Sequence, residues 1–169
     1  MSKHKANGGG GKWYHGEYKP LNPNKYVGDI TDIIYRSKWE YKFCYYCDNE
    51  DRIKKWECEP SRHKIQYDVM EYGQYKQKTY NPDFWIQVEK PNGDIEELII
   101  EIKPYKQTIE PVEPKTTTIK TIRNYEYALR EYIKNINKWN AATEYCKKRG
   151  IIFYVLTEKY FDSKQIKLF

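Results

Sequence analysis

Apolar positions along the chain change their period repeatedly, and each change predicts an element. Through residues 33–48, Tyr35, Trp39, Phe43 and Tyr46/Cys47 recur at i, i+4, i+8 and i+11/12, which makes one face of a helix. Ser37 and Glu40 stand at capping-box spacing, so that helix can begin at Ser37. Ile53–Cys58 reads as a short strand and residues 65–69 as another. The densest β signal runs over residues 80–88, rich in aromatic and β-branched side chains. Pro91-Asn92-Gly93-Asp94 then reads as a turn, because Asn-Gly tolerates positive φ. Residues 96–102, with the run Leu98-Ile99-Ile100, complete a hairpin. Pro104, which has no N–H to give a ladder, stops it.

Pro104, Pro111 and Pro114 make residues 104–118 a loop. From 119 to 149 the helical period returns at Ile122, Tyr125, Leu129, Tyr132, Ile136, Trp139, Thr143 and Cys146, so one long helix or two joined at a kink both fit. Lys147, Lys148 and Arg149 suit a helix C-terminus and Gly150 the position after it. Residues 151–156 read as a last buried strand, and the tail adds a short helix. No repeat or heptad array interrupts this order. It predicts an α/β domain with a small mixed β-sheet flanked by helices. Residues 1–28 stand apart, with Gly8 to Gly11, two prolines, and five lysines against one glutamate. They read as an extended basic arm, either a loosely ordered tail or one that grips DNA or protein, ahead of a single domain over 29–169.

Composition changes this picture in a few places. A length of 169 residues suits one domain. A mean hydropathy of −0.99 and 32% charged residues would point to disorder, but 18 Tyr, 5 Phe and 5 Trp supply a core. No apolar run approaches the roughly 20 residues of a membrane span. Met1-Ser2-Lys3-His4-Lys5 leads into glycine, so no secretory leader is expected. Four cysteines are no disulfide framework, and an intracellular, reduced protein is the expectation. The net charge of +6 favours a polyanionic partner. Cys44 and Cys47 form a C-x-x-C, but Cys58, Cys146 and His63 do not complete zinc spacing. They are expected as small core residues, without structural zinc.

The candidate chemistry lies in the hairpin. Asp83 follows Asn81-Pro82 at the head of its first strand, and Glu101 and Lys103 end the second. Alternation puts Glu101 and Lys103 on one face and sends Ile100 and Ile102 to the other. The neighbouring strand can bring Asp83 beside Glu101. Two carboxylates with the backbone carbonyl of Ile102 suit Mg²⁺, which takes oxygen ligands and keeps several waters. Lysine beside them suits orientation of an attacking water or support of charge on a phosphate. The competing reading is a solvated cross-strand ion pair. Glu40, at the border of the helix face, is either a further ligand or only the capping-box partner of Ser37. Arg36 and Ser37, at a helix start, suit phosphate contact or capping. Lys12, Lys19 and Lys25, interleaved with tyrosines, suit a nucleic-acid backbone or plain solvated surface, as does the stretch 72–78.

Pro82-Asp83, then Glu101-Ile102-Lys103, with a glutamate on a preceding helix, resembles the PD-(D/E)-x-K nuclease pattern. Tyr26-Val27-Gly28-Asp29, Ile34 to Glu40, Tyr46-Cys47-Asp48, Ile100 to Pro104 with Gln107-Thr108, Lys138-Trp139, Tyr145 to Gly150 and Thr157-Glu158 resemble the head completion nuclease family of T-even-type phages. The resemblance spans about residues 13–160; the glycine run and residues 57–79 depart from it. It implies a restriction-endonuclease-like core and a Mg²⁺-dependent DNA endonuclease, with Mn²⁺ as substitute. Glu40, Asp83, Glu101 and Lys103 would be its catalytic residues, and Asp83, Glu101, the Ile102 carbonyl and Glu40, directly or through water, would hold the metal. The family acts on packaged double-stranded DNA ends near the portal, so the implied partners are DNA and portal or head proteins. The implied place is the infected host's cytoplasm, with association with the virion as an extension. Wider relatives are junction resolvases of the endonuclease I kind and transposon-end nucleases. The alternatives are a non-catalytic assembly factor with a nuclease fold and a structure-selective resolvase.

Overall fold

The computed structural model describes residues 14–71 and 73–162. Its centre is a four-stranded mixed sheet built from β3 (Ile53–Cys58), β6 (Phe84–Glu89), β7 (Ile95–Ile102) and β8 (Ile152–Leu156), in the order β3-β6-β7-β8. β3/β6 and β6/β7 pair antiparallel, whereas β7 and β8 run parallel. Parallel neighbours need a crossover. Here it is α2 (Ile119–Lys147), one unbroken helix capped by Thr118, whose side chain accepts from the Thr121 N–H at 3.2 Å. At about 1.5 Å per residue it is about 44 Å long. It ends in a turn at Gly150, whose φ of +68° is the left-handed backbone that glycine adopts without strain.

Alternation divides the apolar residues of the sheet between two helical layers. Phe84, Ile86, Leu98, Ile100 and Ile102 point to the side of α1 (Lys38–Asn49), where they pack with Phe43, Cys44 and Cys47. Trp85 and Ile99 point to the other side and meet Cys146 and Tyr145 of α2. A separate hairpin, β4 (Ile65–Glu71) with β5 (Gln74–Tyr80), lays Ile65, Tyr67, Val69 and Tyr80 against Ala142. A short α3 (Glu158–Asp162) follows β8, and Phe161 packs into the α1 core.

Three expectations need correction. Residues 33–36 are not helical: Ile34–Tyr35 (β2) pairs with Gly16–Glu17 (β1), and Ser37 is extended before α1 begins. Tertiary pairing there overrides the helical period. Residues 80–88 are not one strand, because Asn81-Pro82-Asp83 breaks them and sends Tyr80 to a different sheet from Phe84. The strand at 65–69 extends to Glu71 and gains a polar partner, β5, that the pattern did not announce.

The described end of the basic arm is docked. Tyr18 is buried, Tyr26 packs on the Trp56 ring at 4.7 Å, and the Val27 N–H donates to the Trp56 carbonyl at 2.9 Å. The anchor is Asp48, which is 0% exposed. Its carboxylate accepts from the Tyr18 hydroxyl at 3.0 Å, the Leu21 N–H at 2.7 Å and the Asn22 N–H at 2.9 Å. Asp48→Ala orphans all three donors at about 1–3 kcal/mol each where they stay dry. Calorimetry should show a Tm loss of about 6–12 °C, the size of about 3 kcal/mol in a chain of this length. A loss below about 2 °C would contradict the anchoring role.

Candidate active site

The β6/β7 register opposes Phe84 to Ile100 and Trp85 to Ile99, so the next residue outward, Asp83, falls opposite Glu101. One hydrogen bond fixes the match: Asp83 Oδ2 accepts from the Ile102 N–H at 2.6 Å. The Asp83 carbonyl accepts from the Glu59 N–H at 2.8 Å, which ties the segment to β3. On the far side, the Lys103 N–H donates to the Leu156 carbonyl at 2.9 Å and holds the end of β7 against β8. Ile100 and Ile102 enter the α1 core, and Glu101 and Lys103 therefore face α2.

Glu101 is 2% exposed. Its Oε1 accepts from Lys103 Nζ at 2.9 Å, while its Oε2 is buried with no hydrogen-bond partner. Asp83 keeps an edge toward solvent, but protein surrounds its carboxyl. Burial, then the Glu101 charge, push Asp83 up to about 8, and Lys103 and the Ile102 N–H offset only part of this. Burial alone would draw Lys103 down; Glu101 and Asp83 outweigh it and hold the ammonium above the usual lysine range. Two carboxylates thus share one lysine, with one carboxylate oxygen unsatisfied. That deficit of positive charge fits a divalent cation held by two carboxylates, with water and phosphate completing its shell.

Glu40 lies at the edge of this group. Its N–H donates to Ser37 Oγ at 3.1 Å, which caps α1, while its Oε2 accepts from the Arg36 N–H at 2.6 Å, one residue before the cap. Its charge is nevertheless felt at both Asp83 and Lys103. Among the described residues no three Asp, Glu, His or Cys side chains gather closely enough to enclose a metal by themselves.

The expected DNA contacts are scattered. The Arg36 guanidinium is ion-paired with Glu59, and Ser37 is engaged in the cap. Lys19 is exposed. Lys25 turns inward, its Nζ donating to the Asp48 and Glu50 carbonyls at 2.9 and 2.8 Å, so it closes the C-terminus of α1 instead of facing DNA. Lys12 lies outside the described residues. So does Tyr72 of the stretch 72–78, in which Lys76 and Lys78 pair with Glu71. Cys44 and Cys47 are buried on α1 and packed with Phe43 and Trp56.

Two neighbours of the site come from outside its motif. Tyr80 is buried, its hydroxyl pushed up by desolvation and then by Glu101. Lys138 of α2 lies within electrostatic reach of Glu101, Lys103 and Asp83. The signal for Lys138 was present but faint: it interrupts the stripe Asn135, Ala142, Tyr145 and Cys146 that α2 turns inward.

The sequence model of the family described as TnsA-like endonuclease N terminal matches residues 50–158. The Head completion nuclease of Enterobacteria phage T4 is 35% identical over 145 residues, which cover 86% of this chain and 91% of that protein. No solved structure matches the chain. 

The raised Asp83 carries a stability consequence with a definite sign. Its folded-state value lies above that of the unfolded chain, so ionisation costs stability progressively from about pH 4 up to about pH 8, and fully above that. Asparagine keeps an acceptor for the Ile102 N–H without the charge. In metal-free buffer at pH 9, Asp83→Asn should melt about 4–8 °C above wild type, as about 2 kcal/mol would give, and the gap should shrink steadily toward pH 4. A gap that does not change with pH would contradict the buried-charge reading.

Proposed function

Since the chain belongs to the TnsA-like endonuclease N-terminal family, we propose that it is a divalent-metal-dependent endonuclease that hydrolyses phosphodiester bonds of double-stranded DNA. The observation that carries this reading is the Asp83–Glu101–Lys103 group with its unsatisfied Glu101 oxygen. Asp83 and Glu101 would hold Mg²⁺, for which Mn²⁺ could substitute, with the Ile102 carbonyl as a further ligand and Glu40 acting directly or through water. A divalent ion bound there would supply an acidified water and neutralise charge growing on the phosphate.

The protein's own groups do the remaining work. Glu101 holds Lys103 Nζ at the site, and the Ile102 N–H fixes the Asp83 carboxyl. Lys103 donates N–H bonds, which orient the attacking water and steady a phosphate oxygen. The buried strands below exclude bulk water from the carboxylates and strengthen both effects. The phosphodiester P–O bond breaks as the water oxygen bonds to phosphorus and gives up a proton, and the leaving oxygen takes up a proton from solvent.

The phage relative's name supports a role in head completion, within the infected host cell; action on packaged DNA ends near the portal, with association with the virion, is the finer part of the proposal. No helix among the described residues is long and apolar enough to cross a membrane.

Cleavage of supercoiled and linear DNA with Mg²⁺ or Mn²⁺ tests the reading. Asp83→Ala and Lys103→Ala should each lower the rate by at least about 100-fold. Unchanged cutting in either variant refutes the assignment, and absence of cutting in wild type favours a non-catalytic assembly factor. Branched and linear duplexes cut side by side separate an end-acting nuclease from a junction resolvase.

A further inference from the structure

Lys103 already pairs with Glu101, whereas Lys138 has no carboxylate partner among the described residues. Its ammonium lies 5.1 Å from the centre of the Tyr80 ring and 5.6 Å from that of Tyr67. Those rings meet edge to face at 5.7 Å and are both buried, so they form a fixed wall. The Tyr80 hydroxyl donates to the Lys138 carbonyl at 3.2 Å and holds that turn of α2 against β5. Tyr80 itself stands three residues before Asp83, so one segment positions both groups.

Ring faces attract a cation without satisfying its three N–H donors. Burial draws Lys138 down, and Glu101 acts against that. A half-buried ammonium is costly without a partner, and an apolar residue would fill this inward stripe of α2 at less cost. An anion from outside the chain, arriving beside Glu101 and Lys103, would be such a partner.

Building on the nuclease reading, we propose that Lys138 is a phosphate-contact residue, which grips the DNA backbone from α2 while Lys103 serves the scissile phosphate from β7. The Tyr67–Tyr80 pair aims it.

The test is binding of a short DNA duplex in metal-free buffer across a salt series, for wild type, Lys138→Gln and Lys138→Arg, with Mg²⁺-dependent cleavage assayed alongside. Each phosphate neutralised adds about 0.9 to the slope of log affinity against log salt. Lys138→Gln should lower the slope by about one and weaken binding several-fold, and Lys138→Arg should keep the wild-type slope. If wild type cuts and Lys138→Gln binds with an unchanged slope, the contact is refuted and the nuclease reading stands. If wild type neither binds nor cuts DNA, both fall. Should the Gln variant not fold, acetylation of the wild-type chain decides: bound duplex should protect Lys138, and equal labelling with and without duplex overturns the proposal.

Discussion

The hydrogen bond from the Ile102 N–H to Asp83 Oδ2 pins the Asp83 carboxyl to the end of β7, beside the Glu101 that opposes it. Like charges at close range in a weakly screening interior repel strongly. The sheet overcomes that repulsion with apolar packing. Phe84, Leu98 and Ile100 are fully buried immediately beneath the pair, and their burial stabilises the register that opposes Asp83 to Glu101. Slipping β6 against β7 by one residue would turn Phe84 and Asp83 to the opposite faces of the sheet and part Asp83 from Glu101.

The surrounding elements serve the same end of the sheet. β8 secures β7 through the Lys103 N–H, the Glu59 N–H ties the Asp83 backbone to β3, and the capped start of α1 brings Glu40 within electrostatic range. The hairpin β4–β5 and the C-terminal half of α2 roof the opposite face. The site is therefore assembled from both halves of the chain, although its motif lies on one hairpin.

Much of this was legible from residue order. The bounds of β3, the start of α1 after Ser37, the 91–94 turn, the convergence of Asp83, Glu101 and Lys103, and the parting of Ile102 from Glu101 all follow from period and turn chemistry. What escaped depends on partners remote in sequence. Nothing local says that Ile34–Tyr35 will pair with Gly16–Glu17, or that the polar stretch Gln74–Tyr80 will be a strand. Lys25 looked like surface charge because its carbonyl acceptors, Asp48 and Glu50, belong to a helix end more than twenty residues away. Glu40 was legible as the third residue after the N-cap Ser37, but its carboxylate holds the Arg36 N–H, one residue before the cap, while its charge still reaches Asp83.

The parallel pairing of Ile102 with Leu156 also sets an order of events as the chain is made. The segment carrying both carboxylates leaves the ribosome well before the strand that must lie beside it, and all of α2 comes between them. Until β8 arrives, β7 has an open edge and Lys103 lacks its backbone tether. A nascent or prematurely ended chain therefore carries the full motif without the finished site.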